Sequence, residues 1–539
     1  MENYIRGFIA IVRYLIPILS VLVVCLCGMG LLAKPRNFRK RVILFDDMSE
    51  LPLYDGELLL GSGEECDFIV DGLEEKHCVI SVFGKQLSIR PLGKAKIAVD
   101  SHPVKNQTNF EAENIISAGN RQFSIRIKNG RRKIREYGKL FKSAALCGLT
   151  LIQFFMALSL MFAFPVKAMA ILAVFGIIIV GEWAYLFITK FSGAFIEIPV
   201  MFLLSLGISV VAHKDTGVMI KQMICAAVGI IGAVILSKII ISAKRAIALR
   251  SIAFLAGVAL FLVNTVFGVI YNGAQNWLNI AGFSFQPSEL IKVILIFICG
   301  TSVEKLSSIK DSVLFVVFSF FCLVSLAYLS DFGTSLIYAV VFFTVLALRF
   351  CSVKLLAILG GAAAVLGGAV MLLFPYVAKR IFSFGQAWAN AADSGYQQTR
   401  TMIATASGGF FGVGGGNGTL IKVSAADTDI VFGLISEEWG LIVSLCAISC
   451  FIIFTLYAIK VLETSKSTYY GITSCAAAVL LLVQAALNIF GSLDMLPFTG
   501  VTLPFISNGG SSLISCLMLI AFLRTPLALE NSCERGHKK

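Results

Sequence analysis

"SAADTDIVFGLISEEWGLIV", Ser424 to Val443, sets two carboxylates, Asp427 and Asp429, at the lip of a long apolar run. Two more, Glu437 and Glu438, lie inside that run. The run from about 430 to 459 is long enough to cross a hydrocarbon core as helix, and the rest of the chain repeats the pattern. With 57% hydrophobic and 14% charged residues over 539 positions, and a mean hydropathy of +0.86, an ordinary soluble protein is excluded. The reading is a polytopic α-helical membrane protein. A net charge of +13 does not argue for nucleic acid here, because Lys and Arg collect in cytoplasmic loops of membrane chains. The 14 Cys lack metal-ligand spacing, and several, such as Cys25, Cys27, Cys446 and Cys450, sit in apolar runs as small buried residues.

Length places about thirteen spans. They lie near 14–33, 143–164, 167–189, 196–213, 218–242, 250–271, 286–303, 312–329, 332–349, 353–374, 430–459, 470–493 and 508–525. The first reads as an uncleaved anchor. Basic residues test the layout: Lys190, Lys244 to Arg250, Lys305 and Lys310, Arg349 and Lys354, Lys460 and Lys466, and the tail "CERGHKK" fall on alternate sides, all cytoplasmic by the positive-inside rule. Lys214 and Lys221 are exceptions. Between the basic blocks "KPRNFRKR" (Lys34–Arg41) and "KNGRRKIREYGKLFK" (Lys128–Lys142), short alternations appear: "DFIV" (Asp67–Val70), "CVISVF", "QLSIRPL", "KIAVD" and "RQFSIRI". They read as a small all-β sandwich on the cytoplasmic side. One long outside loop, Pro375 to Thr428, has no evident secondary structure, and such loops are often functional. The domains are therefore 1–41, an anchor and basic linker; 42–128, the sandwich; 129–195, a basic linker and two additional spans; 196–526, the main bundle; and 527–539, a cytoplasmic tail.

Four outer stretches carry the chemistry. These are "NGAQNWLNIAGFSFQPSELIK" (Asn272–Lys292), "SDFGTSLI" from Ser330, "GYQQTRTMIATASGGFFGVGGGNG" (Gly395–Gly418) leading to the acids, and "LPFTGVTLPFISNGGSSLI" (Leu496–Ile514). In this order and spacing they closely resemble the SEDS family (shape, elongation, division and sporulation; the FtsW/RodA/SpoVE group), over a ten-span core from about 196 to 525. The resemblance implies an inverting peptidoglycan glycosyltransferase that polymerises lipid II, an undecaprenyl-pyrophosphate-linked disaccharide peptide, on the extracytoplasmic face of the bacterial plasma membrane. It implies a class B penicillin-binding transpeptidase as partner and a role in division, elongation or sporulation. It also makes the Asp of "TDIVF", Asp429, catalytic. A flippase for lipid-linked precursors and a non-catalytic scaffold for the transpeptidase are the rival readings.

The chemistry asks for the same groups independently. Transfer from a pyrophosphate donor needs a base for the acceptor hydroxyl, and positive charge, N–H dipoles or a metal ion for the leaving group. Helix capping is the plain alternative for either Asp. Asp427 stands where many relatives carry His, and Ala425 where many carry Glu; two carboxylates this close raise the pKa of one. Glu437 and Glu438 lie about 12 Å down the helix from Asp429, as substrate contacts or as ion-pair partners of a neighbouring helix. Glu289 and Lys292, one turn apart, form a packing ion pair or aid the pyrophosphate. Arg380 clamps phosphate or snorkels at the interface. Asp331 is read as a capping or helix-bridging residue. Gln397 and Ser511, with Ser512 beside it, are further substrate contacts; Trp277 stacks on sugar or belongs to an aromatic belt. Arg400 adds a cation where relatives have Gln, Asn508 replaces a Tyr, and the glycines from 408 to 418 allow close backbone approach to a phosphate or sugar. No cofactor is required by the pattern; a divalent cation, Mg or Mn, is the one candidate, with no ligand set assigned.

"LLLGSGEECDFIVDGLEEKHCVISVFGK" (Leu58–Lys85) resembles a forkhead-associated (FHA) domain, which typically reads phosphothreonine. Gly61 and His77 match its pattern; Ser62, Glu74 and Glu75 depart from it at phosphate-contacting positions. Acids repel a phosphate, so the expectation is a domain that docks a cytoplasmic protein partner without phosphothreonine recognition.

Overall fold

The computed structural model describes residues 2–32, 40–128 and 134–536. Within these, the short stretches 46–49, 54–55, 64–65, 67, 71–72, 84–85, 93–94, 105, 112–113, 120, 190–192, 272–273, 281–282, 303–308, most of 351–374, and 465–467 are outside the description. The chain divides into two compact units: Met1–Leu32 with Leu140–Leu529, and Ala33–Lys139 with Glu530–Lys539.

Helix α1 is Glu2–Leu32, and the β unit follows it. Its eleven strands are β1 (Lys40–Phe45), β2 (Glu50–Leu53), β3 (Gly56–Gly61), β4 (Phe68–Ile69), β5 (Cys78–Phe83), β6 (Gln86–Pro91), β7 (Ile97–Val99), β8 (His102–Val104), β9 (Thr108–Phe110), β10 (Ile115–Ala118) and β11 (Arg121–Lys128). All five alternations read from the sequence form strands. They build a six-stranded sheet, β2-β1-β11-β10-β7-β8, and a five-stranded one, β4-β3-β5-β6-β9. Alternate side chains, among them Leu60, Ile80, Ile89, Ile116 and Ile125, close the core between them; this is the sandwich that the FHA resemblance implies. Its two matching residues are architectural. A side chain at Gly61 would sit 2.4 Å from the Glu75 carbonyl, and buried His77 accepts a hydrogen bond at Nδ1 from the Glu74 N–H. The departing residues Ser62, Glu74 and Glu75 are exposed.

The helical unit continues with α2 (Ile134–Ala163), α3 (Ala168–Ile188), α4 (Ala194–Val211), α5 (Thr216–Ile240), α6 (Ala243–Phe267), α7 (Pro287–Ser302), α8 (Ile309–Tyr328) and α9 (Phe332–Phe350). It ends with α10 (Pro375–Phe382), α11 (Tyr396–Gly408), α12 (Val431–Trp439), α13 (Leu441–Thr464), α14 (Thr468–Ser492) and α15 (Gly510–Gly536). Among the described residues nine helices are long and apolar enough to cross a membrane, and the chain is a multi-pass membrane protein. The span expected at 353–374 lies largely outside the described residues. The anchor α1 and the additional helices α2 and α3 share one apolar core with the main bundle, Val23, Leu149 and Phe175 being buried in it.

Two expectations need correction. The run 430–459 is not one span: it breaks at Gly440, whose φ of +86° ends α12 before α13 begins. The break has a cause. Leu441 and Ile442 donate their N–H groups to the carbonyls of Gly409 and Phe410, and a Cβ on Gly440 would lie 2.3 Å from the Phe410 oxygen. Apolar composition reports burial equally well for a continuous span and for two helices with a paired segment wedged between them. The loop 375–428 is not structureless either, since it folds into α10, α11 and a short 3-10 helix, Leu420–Lys422. The segment after α6 forms a three-stranded sheet, β12 (Val269–Tyr271), β13 (Ala274–Ile280) and β14 (Phe283–Phe285).

Candidate active site

The acids ride on a tight turn. Ala425 takes a left-handed backbone, φ +59°, and its carbonyl accepts the N–H groups of Thr428, Asp429 and Ile430. Helix α12 then starts with Ile430 at its N-cap and no side-chain cap, so neither Asp acts as the helix cap that the plain reading allowed. The turn is clamped onto α14 and the loop before α15. Ser507 Oγ donates to the Thr428 carbonyl at 2.6 Å, Asn508 N–H to the Asp427 carbonyl at 2.8 Å, and Asn488 Nδ2 to the Asp429 carbonyl at 2.9 Å.

Asp429 is half-buried beside Gly500, where an added Cβ would stand 3.4 Å from its Oδ2. Burial pushes its carboxyl up to about 6; a hydrogen bond with Thr428 opposes this, the Asp427 charge adds to it, and the Arg380 charge pulls it back. Arg380 on α10, exposed, is thus electrostatically linked to Asp429. Asp427 is engaged with protein at both oxygens: Oδ1 lies 3.3 Å from Lys214 Nζ, and Oδ2 accepts Asn508 Nδ2 at 2.8 Å. Two of the positions where this chain departs from the family pattern, Asp427 and Asn508, therefore meet, and Lys214, one of the two exceptions to the positive-inside layout, pairs with Asp427.

The remaining candidates fall into three groups. Gln397 on α11 ties the acid turn to its surroundings, donating from Nε2 to the Ser424 carbonyl at 2.9 Å, while exposed Arg400 stacks over the Tyr396 ring at 5.2 Å. Glu437 and Glu438 face inward and organise the glycine segment. Glu437 accepts from Thr419 N, Thr419 Oγ1 and Leu420 N at 2.8–2.9 Å; Glu438 accepts from Gly418 N and lies 2.7 Å from His213 Nε2. Burial alone would push the His213 imidazole down, but its hydrogen bond and charge contact with Glu438 outweigh this and hold it above its ordinary value. Gly408 and Gly412 make their close approach to α12 rather than to open space: an added Cβ on Gly408 would be 2.1 Å from the Ser436 oxygen, and on Gly412 2.1 Å from that of Glu438. Gly412 also has φ +79°. Gly412→Ala is expected to cost about 2 kcal/mol or more, read as a lower melting temperature in detergent, whereas Gly176→Ala, whose added carbon meets nothing, leaves it unchanged or slightly raised.

Glu289 and Lys292 lie deeper. Lys292 Nζ donates to both Glu289 oxygens at 2.8 Å and to Gln484 Oε1 at 2.9 Å, and Ser515 Oγ donates to Glu289. From Gln484 the chain of bonds runs to Thr502 and on to Ser512, whose hydroxyl is 2.7 Å from Thr502 Oγ1. The ion pair is the buried root of a polar network that passes through Thr502, in the loop whose Gly500 lies beside Asp429, and ends at Ser512 on α15. Ser511 Oγ accepts the Gln286 N–H at 3.3 Å. Asp331 caps α9 through Thr334 N–H and holds Asn276 and Gln286, bridging elements as expected. Trp277 is half-buried on β13.

Gln484, Asn488, Ser507 and Lys214 were not read as site residues. Gln484 and Asn488 stand one turn apart in an apolar run, and polar side chains on one helix face within a span are the signal that finds them. Among the described residues no three His, Cys, Asp or Glu side chains gather closely enough to hold a metal ion.

A helical membrane bundle with an acid on a clamped turn, and a polar network in its interior, defines the class. The chain belongs to the FtsW/RodA/SpoVE family of cell cycle proteins, whose model matches residues 185–528. A "Probable peptidoglycan glycosyltransferase FtsW" of Tolumonas auensis is 32% identical over 49% of this chain and 71% of its own length. The protein of the same description from Saccharophagus degradans is 30% identical over 62% and 93%. Among solved structures, one from "Structural coordination of polymerization and crosslinking by a peptidoglycan synthase complex" overlaps 62% of this chain and 96% of its own at 22% identity, with a TM-score of 0.52. An FHA domain from a study of phosphothreonine-dependent interactions matches 16% of this chain and 97% of its own at 19% identity, with a TM-score of 0.16.

Proposed function

We propose that this protein is a peptidoglycan glycosyltransferase that polymerises lipid II on the extracytoplasmic face of the membrane, with its β-sandwich in the cytoplasm. Asp429 carries the reading: a half-buried carboxylate that caps no helix, is pushed up to about 6 by burial and lies on a turn fixed to three elements. It takes the proton from the acceptor sugar hydroxyl as that oxygen attacks the anomeric carbon of the lipid-linked donor chain. The bond from that carbon to the pyrophosphate breaks with inversion, and undecaprenyl pyrophosphate departs with the electron pair. Arg380, within electrostatic reach of Asp429, offsets the charge that develops on the pyrophosphate. The names of the relatives support the same chemistry. No divalent-cation site is assigned: among the described residues no three His, Cys, Asp or Glu side chains gather to hold one, and Asp429 is taken up by its role as the base. A class B transpeptidase is the proposed partner. Lys292 and Glu289, and Glu437 and Glu438, act as supports of the site in this reading, while Gln397, Ser511, Trp277 and Asp427 border the substrate.

The test is polymerisation of lipid II by the purified complex, with and without chelator. Product strands support the enzyme; lipid translocation without strands would move the assignment to a flippase, and neither to a scaffold. The acidic limb of the rate profile is expected near pH 6. The base must be ionised, so activity falls as pH drops through the raised pKa, by roughly tenfold one unit below it. For the sandwich, exposed Glu74 and Glu75 lead us to propose partner docking without phosphate dependence. A phosphothreonine peptide array on the full chain should show no gain over unphosphorylated peptides, and tight phosphate-dependent binding would overturn this.

A further inference from the structure

Helix α2 and all but the last turn of α3 precede the family-matched region, which begins at residue 185, and the proposed chemistry gives them no task. Their connecting tip nonetheless reaches the site. Lys167 Nζ donates to the carbonyl of Lys214 at 2.6 Å and to those of Ala212 and His213 at 3.4 Å. It thereby satisfies the open carbonyls at the end of α4, where a cation is favoured by the helix dipole. Phe164 packs edge-on against the His213 ring, with centroids 5.1 Å apart. Ala163 and Phe164 stand where a side chain on Gly416 would fall. From this tip two lines run inward: His213 to Glu438 and the glycine segment, and Lys214 to Asp427 beside Asp429. Deeper along the same helices, buried Gln153 of α2 bridges Glu182 of α3 and Ser205 of α4, so the hairpin is fixed to α4 along its length.

We propose that the α2–α3 hairpin is a positioning element of the site, with Lys167 as its positioning residue: by capping α4 it holds Lys214 against Asp427 and so sets the charge beside Asp429. This rests on the glycosyltransferase reading for its rate measurement only. The charged and polar groups around Asp429 are Asp427 and Thr428 on its own turn, Arg380 on α10, and Asn488 on α14. Those around Lys214 are Asp427, the Lys167 ammonium, and its neighbours His213 and Asp215. Without Lys214 in place, Asp427 is uncompensated, Asp429 holds its proton more tightly, and the acidic limb moves to higher pH.

The experiment uses the full chain and reads two quantities against pH. One is lipid II polymerisation. The other is carbodiimide labelling of protonated Asp429, followed by mass spectrometry, which needs no turnover. Lys214→Met and Lys167→Met are each expected to raise both midpoints by about half a unit, a roughly threefold loss of rate on the acidic limb. Lys167→Arg restores the parent midpoint, and Asp427→Asn lowers it. Melting temperatures separate misfolding from repositioning. Unchanged midpoints in a folded Lys167→Met protein, or a uniform loss of rate without a shift, would overturn the proposal. Absence of polymerisation in the parent with the labelling shifts intact would instead sink the glycosyltransferase reading alone.

Discussion

Asp429→Asn is expected to lower lipid II polymerisation by roughly a hundred- to ten-thousandfold, the usual range for removing a general base, while lipid II binding persists. The amide keeps the shape of the side chain and removes its capacity to accept the proton. The turn that carries it does not depend on the carboxylate, because Ala425, Asn488 and Ser507 hold it through backbone atoms. Stability should move the other way. Asp429 in the folded protein titrates at about 6, above an ordinary carboxyl near 3.9, so its ionised form is disfavoured by folding. That penalty is absent at low pH, grows as pH rises from the unfolded value through the folded one, and is fully present above it. The Asn variant should therefore melt no lower than the parent at pH 5 and higher than it at pH 8. Parent-like polymerisation by the variant would remove the central base from the mechanism.

Lys292→Met is expected to be the most destabilising single change, by about 3–5 kcal/mol, because it leaves Glu289 as a buried charge without its partner. Lys292 is 1% exposed and Glu289 4%, and only Ser515 would remain on the carboxylate. The variant should show poor yield and a steep drop in melting temperature. The double change Glu289→Gln with Lys292→Met removes the orphaned charge and should recover most of the loss. Near-parent stability in the single variant would mean that the ammonium is held for a substrate group rather than for the bundle.

How far the sequence could be read follows from what each signal measures. The apolar runs place helices at twelve of the thirteen expected spans, because hydropathy measures the solvent around a helix and little else competes with it. The family resemblance pointed to Asp429, and alternation led to five of the sandwich strands. The break at Gly440 was hidden, because the N–H groups of Leu441 and Ile442 find their acceptors in Gly409 and Phe410, some thirty positions earlier in the chain. The pairing of Asp427 with Asn508 and Lys214 was hidden for the same reason: each residue alone is an unexplained departure, and only three-dimensional proximity shows that they complement one another. Glu437 and Glu438 invited a reading as ligand groups, yet their acceptor capacity is directed at Thr419, Leu420 and Gly418. Buried acids near a site serve loops as readily as substrates.

The ion pair between Lys214 and Asp427 has a consequence for biogenesis. Ribosomes deliver the amino-terminal side first, so the α4–α5 connection must be translocated, on the proposed topology, long before its acidic companion has been synthesised. During that interval the Lys214 ammonium, without its Asp427 partner, sits on the side that topogenic signals disfavour, with the Lys167 tip as the earlier-made neighbour that orders the backbone around it. Final orientation of this hairpin is then secured late, when α12 arrives and supplies the counter-charge, and carboxy-terminal truncations ending before residue 427 should show mixed orientation of the 212–215 segment in a cysteine-accessibility assay.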